Sequence, residues 1–375
     1  MTSSSDVLIL GGGVIGLSLA WRLGQAGCKV TVLDKGEPAT EASRTAAGML
    51  LPCGESRQED DYFRLCLESC RRYPDFVTEL EKLCDGPLDL LESGVLYPLR
   101  GVEQKKSFEA RLNWQKKYGV KYILFKSKEL HALYPGLSAD IKEGVWFADE
   151  YQIDNRKLLR ALYVACGHEQ VLIEPTQMVK KLLTSGRKVT GVLTSEGRHL
   201  AGAVVNAAGS WAGDRALAPA GLKLPVKPIR GQRLDLKPAK PKSPRPRSVI
   251  FAEGCYLVPR RDGSVVLGAT EEDAGFEKAN TVEGLRTLMD KAIALFPPIR
   301  DYQVLSMESG LRPATRDGWP LLGATRYKGY FVATGHYRRG ILLAPVTADE
   351  MARLILKGKT SEWIRPFSLE RPSLN

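Results

Sequence analysis

Apolar positions along the chain fall into two patterns. Short unbroken runs, Val7-Leu8-Ile9-Leu10 and Val30-Thr31-Val32-Leu33, have the length of buried strands. Between them residues 14–25 follow helical spacing, with Gly27 at the end. Strand, helix and strand in succession predict a βαβ unit and a parallel sheet. Phe63, Leu67, Phe76, Val77 and Leu80 recur at helical intervals, so residues 60–83 are predicted helical. Residues 88–99 read as strand, 102–118 as a polar helix, and 122–125 as a short strand. Residues 127–134 read as a helical turn capped by Ser127, followed by a strand at 144–147 and a helix at 155–166.

Residues 171–191 alternate as a hairpin does, turning at Ser185-Gly186-Arg187. The run 203–206 is a buried strand that ends in small residues, Ala207-Ala208-Gly209-Ser210. Residues 256–259 and 264–270 pair through Arg261-Asp262-Gly263, a hairpin signal. A helix over 281–296 is closed by Pro297-Pro298. Strand 330–334, loop 336–340 and helix 341–356 complete the pattern. Strand-to-helix units stand near both ends, with antiparallel signals between. One domain is therefore expected to be assembled from separated segments.

Composition narrows this picture. A chain of 375 residues suffices for two domains, and 43% hydrophobic with 26% charged content is that of a globular protein. No apolar run reaches the ~18 residues of a membrane span, and residues 1–6 lack a signal peptide's basic and apolar regions. No membrane association is expected. The seven cysteines are scattered without a CxxC pair, which predicts reduced thiols, a cytoplasmic location and no metal site. The net charge of +11 raises nucleic acid as a partner. Its densest source, residues 225–248, holds eight Lys or Arg against Asp235 alone. Prolines and the lack of interleaved aromatics predict a solvated loop there, so nucleic acid is not expected.

The chemistry is concentrated in the first unit. Gly11, Gly13 and Gly16 have the spacing GxGxxG directly after a strand and at the start of a helix. Such glycines permit a tight turn, let backbone approach a pyrophosphate, and allow close helix–strand packing. The pyrophosphate lies at the helix N-terminus, where N–H groups and the dipole favour an anion. Asp34, eighteen residues after Gly16, is placed to accept hydrogen bonds from ribose hydroxyls. An acid there favours FAD or NAD over NADP. Downstream, Ser43, Arg44 and Thr45, then Gly48 and Met49, suit a segment that runs along the phosphates.

These stretches, with AAGML at 46–50, NAAGSW at 206–211, CYLVPR at 255–260, GLRPATRDG at 310–318 and GHYRRGILLAP at 335–345, resemble the FAD-dependent D-amino acid oxidase superfamily. Within it they are most similar to the glycine oxidase branch of bacterial thiamine biosynthesis. The resemblance implies an α/β fold: a Rossmann-like FAD-binding domain of the glutathione-reductase type, plus an α+β substrate domain on an antiparallel sheet. The first would comprise residues 1–86, 150–225 and 310–375; the second, 87–149 and 226–309. It implies non-covalent FAD, since the related sarcosine oxidases attach flavin through a cysteine near the place of Ser309-Gly310. It extends the cofactor-binding set to Val14, Ile15, Lys35, Ala47, Thr176, Ala208, Gly209, Trp211, His336, Tyr337, Arg338, Arg339, Gly340, Ile341 and Leu342. His336 reads as structural. Arg312 and Tyr256 would hold the substrate carboxylate, and Arg338 would stand near the flavin pyrimidine.

The implied activity is oxidative deamination of glycine, small amines or D-amino acids, giving an oxo acid, ammonia and hydrogen peroxide. Dioxygen is the expected acceptor, the imine a supply for thiazole synthesis, and the protein a homo-oligomer. Two alternatives remain open: a dehydrogenase passing electrons to a quinone, and a flavoprotein that binds nucleic acid through the basic segment. Glu271 departs from the family by putting a carboxylate where an apolar residue is usual.

Overall fold

The first unit forms as its pattern requires: β1 (Thr2–Leu10), α1 (Val14–Gln25) and β2 (Val30–Leu33). The computed structural model describes residues 2–374. β1 pairs in parallel with β2, Val7 opposite Val30, and on its other side with the strand Arg198–Asn206, Val7 opposite Ala203. The strand Tyr330–Thr334 adds in parallel beyond that, and Leu172–Glu174 adds beside β2. Such a central strand must be covered on both faces. Val7 and Ile9 enter one core, and Leu8 and Leu10 the other. The first core contains α1, which packs on the helices Gly340–Lys357 and Asn155–His168.

A second eight-stranded sheet runs in the order 302–315, 226–238, 265–268, 255–259, 249–252, 95–99, 143–147 and 122–126. Its pairs are antiparallel except 249–252 with 95–99. The helix Val282–Leu295 buries Leu288, Ala292 and Leu295 against it. The strand Tyr302–Thr315 belongs to this sheet along its whole length, so the expected boundary at 309/310 falls inside one strand.

The structure corrects several expectations. Much of the basic stretch is not a solvated loop: Val226–Pro238 is a thirteen-residue strand, buried from Pro228 to Leu234. Its buried charges are neutralised by Asp235 within the strand and by Glu272 and Glu308 from distant segments. Arg230 pairs with Glu272, and Arg233 with Asp235 at 3.3 Å and Glu308 at 3.2 Å. Counting charge along the stretch cannot see Glu272 and Glu308. The helix over 60–83 is one continuous element, Asp61–Glu81, with Asp60 capping the Phe63 N–H at 2.7 Å and Pro74 inside. Only Val95–Leu99 of 88–99 is strand. The hairpin begins at Val179, because Leu172–Glu174 joins the parallel sheet instead. Ser127 is the first helical residue after the cap position Lys126 and makes no capping bond. Among the described residues no helix is long and apolar enough to cross a membrane, and no cluster of His, Cys, Asp and Glu could hold a metal.

Candidate active site

In a parallel sheet ligands collect beyond the carboxyl ends of the strands. Four such ends converge here on one cleft of about 1680 Å³. β1 delivers Gly11 and Gly13, β2 delivers Asp34 and Lys35, Arg198–Asn206 delivers Ala207 to Trp211, and Tyr330–Thr334 delivers the loop from His336.

The turn after β1 is built to touch backbone. Gly11 has φ +110°, and a Cβ there would stand 2.6 Å from the Ala207 carbonyl oxygen. A Cβ on Gly16 would stand 1.9 Å from the Gly11 oxygen, so the helix can lie this close only with glycine. The cap of α1, Gly13, offers no side chain to its N–H groups; Val14 N–H donates to Ser43 Oγ at 3.0 Å. The Asp34 carboxylate accepts from Gly12 N–H at 2.7 Å and Gly36 N–H at 3.0 Å. Burial raises its pKa against these bonds. Two acceptor positions remain on a carboxylate so engaged. Lys35 sets its ammonium 3.2 Å from the Trp211 ring centre. A bare helix start, a turn closed to side chains and an acid with spare acceptors at the second strand fit FAD.

Of the cofactor residues expected from sequence, Gly16, Arg44 and Thr176 do not line the cleft. Gly16 acts behind the turn, as above. Arg44 points to solvent while its carbonyl accepts from Asn155 at 2.8 Å. Thr176 is exposed, and its neighbour Gln177 lines the cleft instead. His336 lies at the cleft but is 2% exposed, with Nε2 3.1 Å from Thr347 Oγ1. Burial pushes its pKa down to about 3, so it stays neutral. Arg339 is wedged between the Cys66 sulfur at 3.0 Å and the Tyr62 ring.

At the far side, Tyr256 and Arg312 come from neighbouring parts of the second sheet. The Arg312 guanidinium lies over Gly231, where a Cβ would be 2.2 Å from Nη2. Nη1 donates to the carbonyls of Thr270 at 3.0 Å and Arg230 at 3.4 Å. Those bonds aim it, and no carboxylate pairs with it among the described residues. Tyr256 stacks on Phe251 with ring centres 6.2 Å apart, and burial raises its pKa, keeping the hydroxyl a donor. Arg338 lines the cleft and is paired with Glu55 at 3.2 Å and Glu271 at 3.6 Å. Glu271 lines the cleft and also accepts from the Tyr337 hydroxyl. Its carboxylate is thus engaged by the 336–340 loop.

Sequence reasoning missed Glu55 and Glu150. Glu150 is wholly buried and accepts from the N–H groups of Cys53 and Gly54, both at 2.8 Å, and from Tyr97 Oη at 2.7 Å. It thereby fixes the segment that carries Glu55. No local spacing signals either residue, because their partners, Arg338 for Glu55 and Cys53, Gly54 and Tyr97 for Glu150, lie far off in sequence.

The chain matches the family model described as FAD dependent oxidoreductase (DAO) over residues 6–354, and it belongs to that family. The cofactor is therefore FAD. A glycine oxidase of Pseudomonas aeruginosa is 34% identical, over 94% of this chain and 95% of that one. The bifunctional protein ThiO/ThiG of Trichormus variabilis is 38% identical over 98% of this chain, which spans only 55% of its length. The crystal structure of glycine oxidase from Geobacillus kaustophilus superposes with TM-score 0.93 at 29% identity, covering 98% of this chain and 99% of that one.

Proposed function

We propose that the protein is an oxidase of glycine and other small amines or D-amino acids. Glycine, water and dioxygen would yield glyoxylate, ammonia and hydrogen peroxide, with the imine formed on the way serving thiazole assembly for thiamine. When bound, FAD supplies the two-electron chemistry, the hydride leaving the substrate Cα. The observation that carries the proposal is Arg312: a guanidinium aimed by two carbonyls, lacking a carboxylate, in the cleft that also receives the glycine turn.

In this reading the Arg312 fork takes the substrate carboxylate and the Tyr256 hydroxyl donates to it. Holding the carboxylate orients Cα within the cleft. The buried neutral His336 offers no proton, and a substrate amine that enters neutral needs no base. Gly11, Gly13, Ser43, Asp34 and Lys35 hold the dinucleotide. The parallel sheet with its helices serves as the FAD domain and the antiparallel sheet as the substrate domain. The alternative, transfer to a quinone, differs only in the acceptor. The test is a spectrum of the purified holoenzyme. Anaerobic glycine should bleach the flavin, and air should restore it with one peroxide per turnover. Bleaching without peroxide on aeration would mean a dehydrogenase, and no bleaching would reject amine oxidation.

A further inference from the structure

Beyond Tyr256 the cleft continues between the helices Gly101–Gln115 and Val282–Leu295, both of which contribute lining residues. This outer section is cationic. Arg57, Arg100, Arg111 and Lys291 line it, and none has a carboxylate partner among the described residues. Of the acids there, Glu55 pairs with Arg338 at 3.2 Å, Glu103 and Glu283 pair with Lys106 and Arg286 on their own helices, and Glu253 is exposed at a turn.

Arg111 is held in place. Nη1 donates to the Gly54 carbonyl at 2.9 Å, Nη2 to Ser107 Oγ at 3.1 Å, and the guanidinium lies 4.4 Å from the Phe108 ring centre. Burial, and then the like charge of Arg57, push its pKa down. An arginine does not shed its proton near neutrality, so like charges held in a concavity are relieved only by an anion. Arg312 and Arg111 line the same cleft, and a run of ring contacts, Tyr256 to Phe251 to Tyr97 to Phe108, leads from the Tyr256 end to the guanidinium of Arg111.

We propose that Arg111 and Arg57 form a second anion subsite at the outer end of this cleft. It takes the distal acidic group of a ligand whose first carboxylate meets Arg312. The class of substrate it favours is an amino acid that carries a second carboxylate on an extended arm. Glycine would occupy the inner half alone. The proposal rests on the assignment of Arg312 as a carboxylate site.

The test uses holoenzyme and calorimetric titration with acetate, the α,ω-dicarboxylates from succinate to pimelate, and the methyl monoester of each. In the wild type, one chain length should bind about tenfold more tightly than its monoester, the scale of a charge-assisted contact. Arg57→Glu, at a residue with no hydrogen bond in the structure, should cut that ratio below about twofold and leave acetate affinity within about twofold. Arg111→Lys should keep only part of the ratio. Equal binding of every diacid and its monoester in the wild type would overturn the proposal. So would a ratio that survives both substitutions. Arg312→Ala separates the underlying assignment: acetate binding unchanged by it would reject Arg312 as the inner site, while the diacid-to-monoester ratio would still decide the outer one.

Discussion

A guanidinium with no acid beside it is costly to bury and useful only if something negative arrives. Arg312 meets that description at the inner cleft. Leaving one member of a desolvated charge pair unmatched costs ~2–5 kcal/mol. At tenfold per ~1.4 kcal/mol, Arg312→Ala should lower kcat/KM for glycine roughly 30- to 4000-fold. A small amine without a carboxylate should lose far less, and Arg312→Lys should recover only part for glycine. Equal losses on both substrates, read from steady-state rates, would make Arg312 structural. Glu150 poses the opposite problem, a buried acid with only neutral donors. Burial raises its pKa from 4.5 to about 7. The folded state therefore holds its proton where the unfolded chain has released it, and stability falls as pH rises from 4.5 to about 7. Glu150→Gln, which keeps an acceptor, removes this loss. Its melting temperature relative to wild type should rise between pH 5 and pH 8, by an amount equivalent to roughly 3 kcal/mol. A constant difference across that range would reject the titration.

At the scale of elements, β1, α1 and β2 fix the cofactor's seat through contacts a single methyl can spoil. Gly16→Ala would drive its Cβ into the Gly11 carbonyl. The expected result is loss of most bound flavin on purification, together with a lower melting temperature. Full flavin content in this variant would mean that α1 can shift without cost. This unit was legible because its signals are local: a run, a glycine spacing, a helical period and an acid. The strand Val226–Pro238 was not, since its prolines and charges mimic a loop while its partners, Glu272 and Glu308, arrive from elsewhere. The same distinction divides the site. Gly11, Gly13, Asp34, Tyr256 and Arg312 could be named from motifs, whereas Glu55, Glu150 and the Arg57–Arg111 pair emerge only when separate segments meet. At Arg44 and Thr176 a motif gives the segment but not which neighbour lines the cleft, which here is Ser43, Thr45 and Gln177.

At the scale of the whole molecule, both sheets line one cleft, so cofactor binding is coupled to folding of the entire chain. Where a covalent flavin would need a cysteine, Ser309 donates to the Lys278 carbonyl, and a side chain at Gly310 would strike Thr45. Acid precipitation should therefore release the yellow colour into the supernatant; colour kept in the pellet would show a covalent link. Free FAD at a hundred times its dissociation constant should stabilise the protein by about 2.7 kcal/mol, visible as a concentration-dependent melting temperature.

The placement of Tyr330–Thr334 and Gly340–Lys357 has one more consequence. These late segments complete the sheet beside Arg198–Asn206 and pack on α1, and the loop between them walls the cleft. A ribosome making this protein releases the glycine turn early and the opposite wall late. Until residues 336–340 have emerged, the phosphate-binding turn has nothing to close against. Flavin loading must then wait for the 336–340 loop, and chains clipped before the helix Gly340–Lys357 should emerge colourless despite an intact GxGxxG.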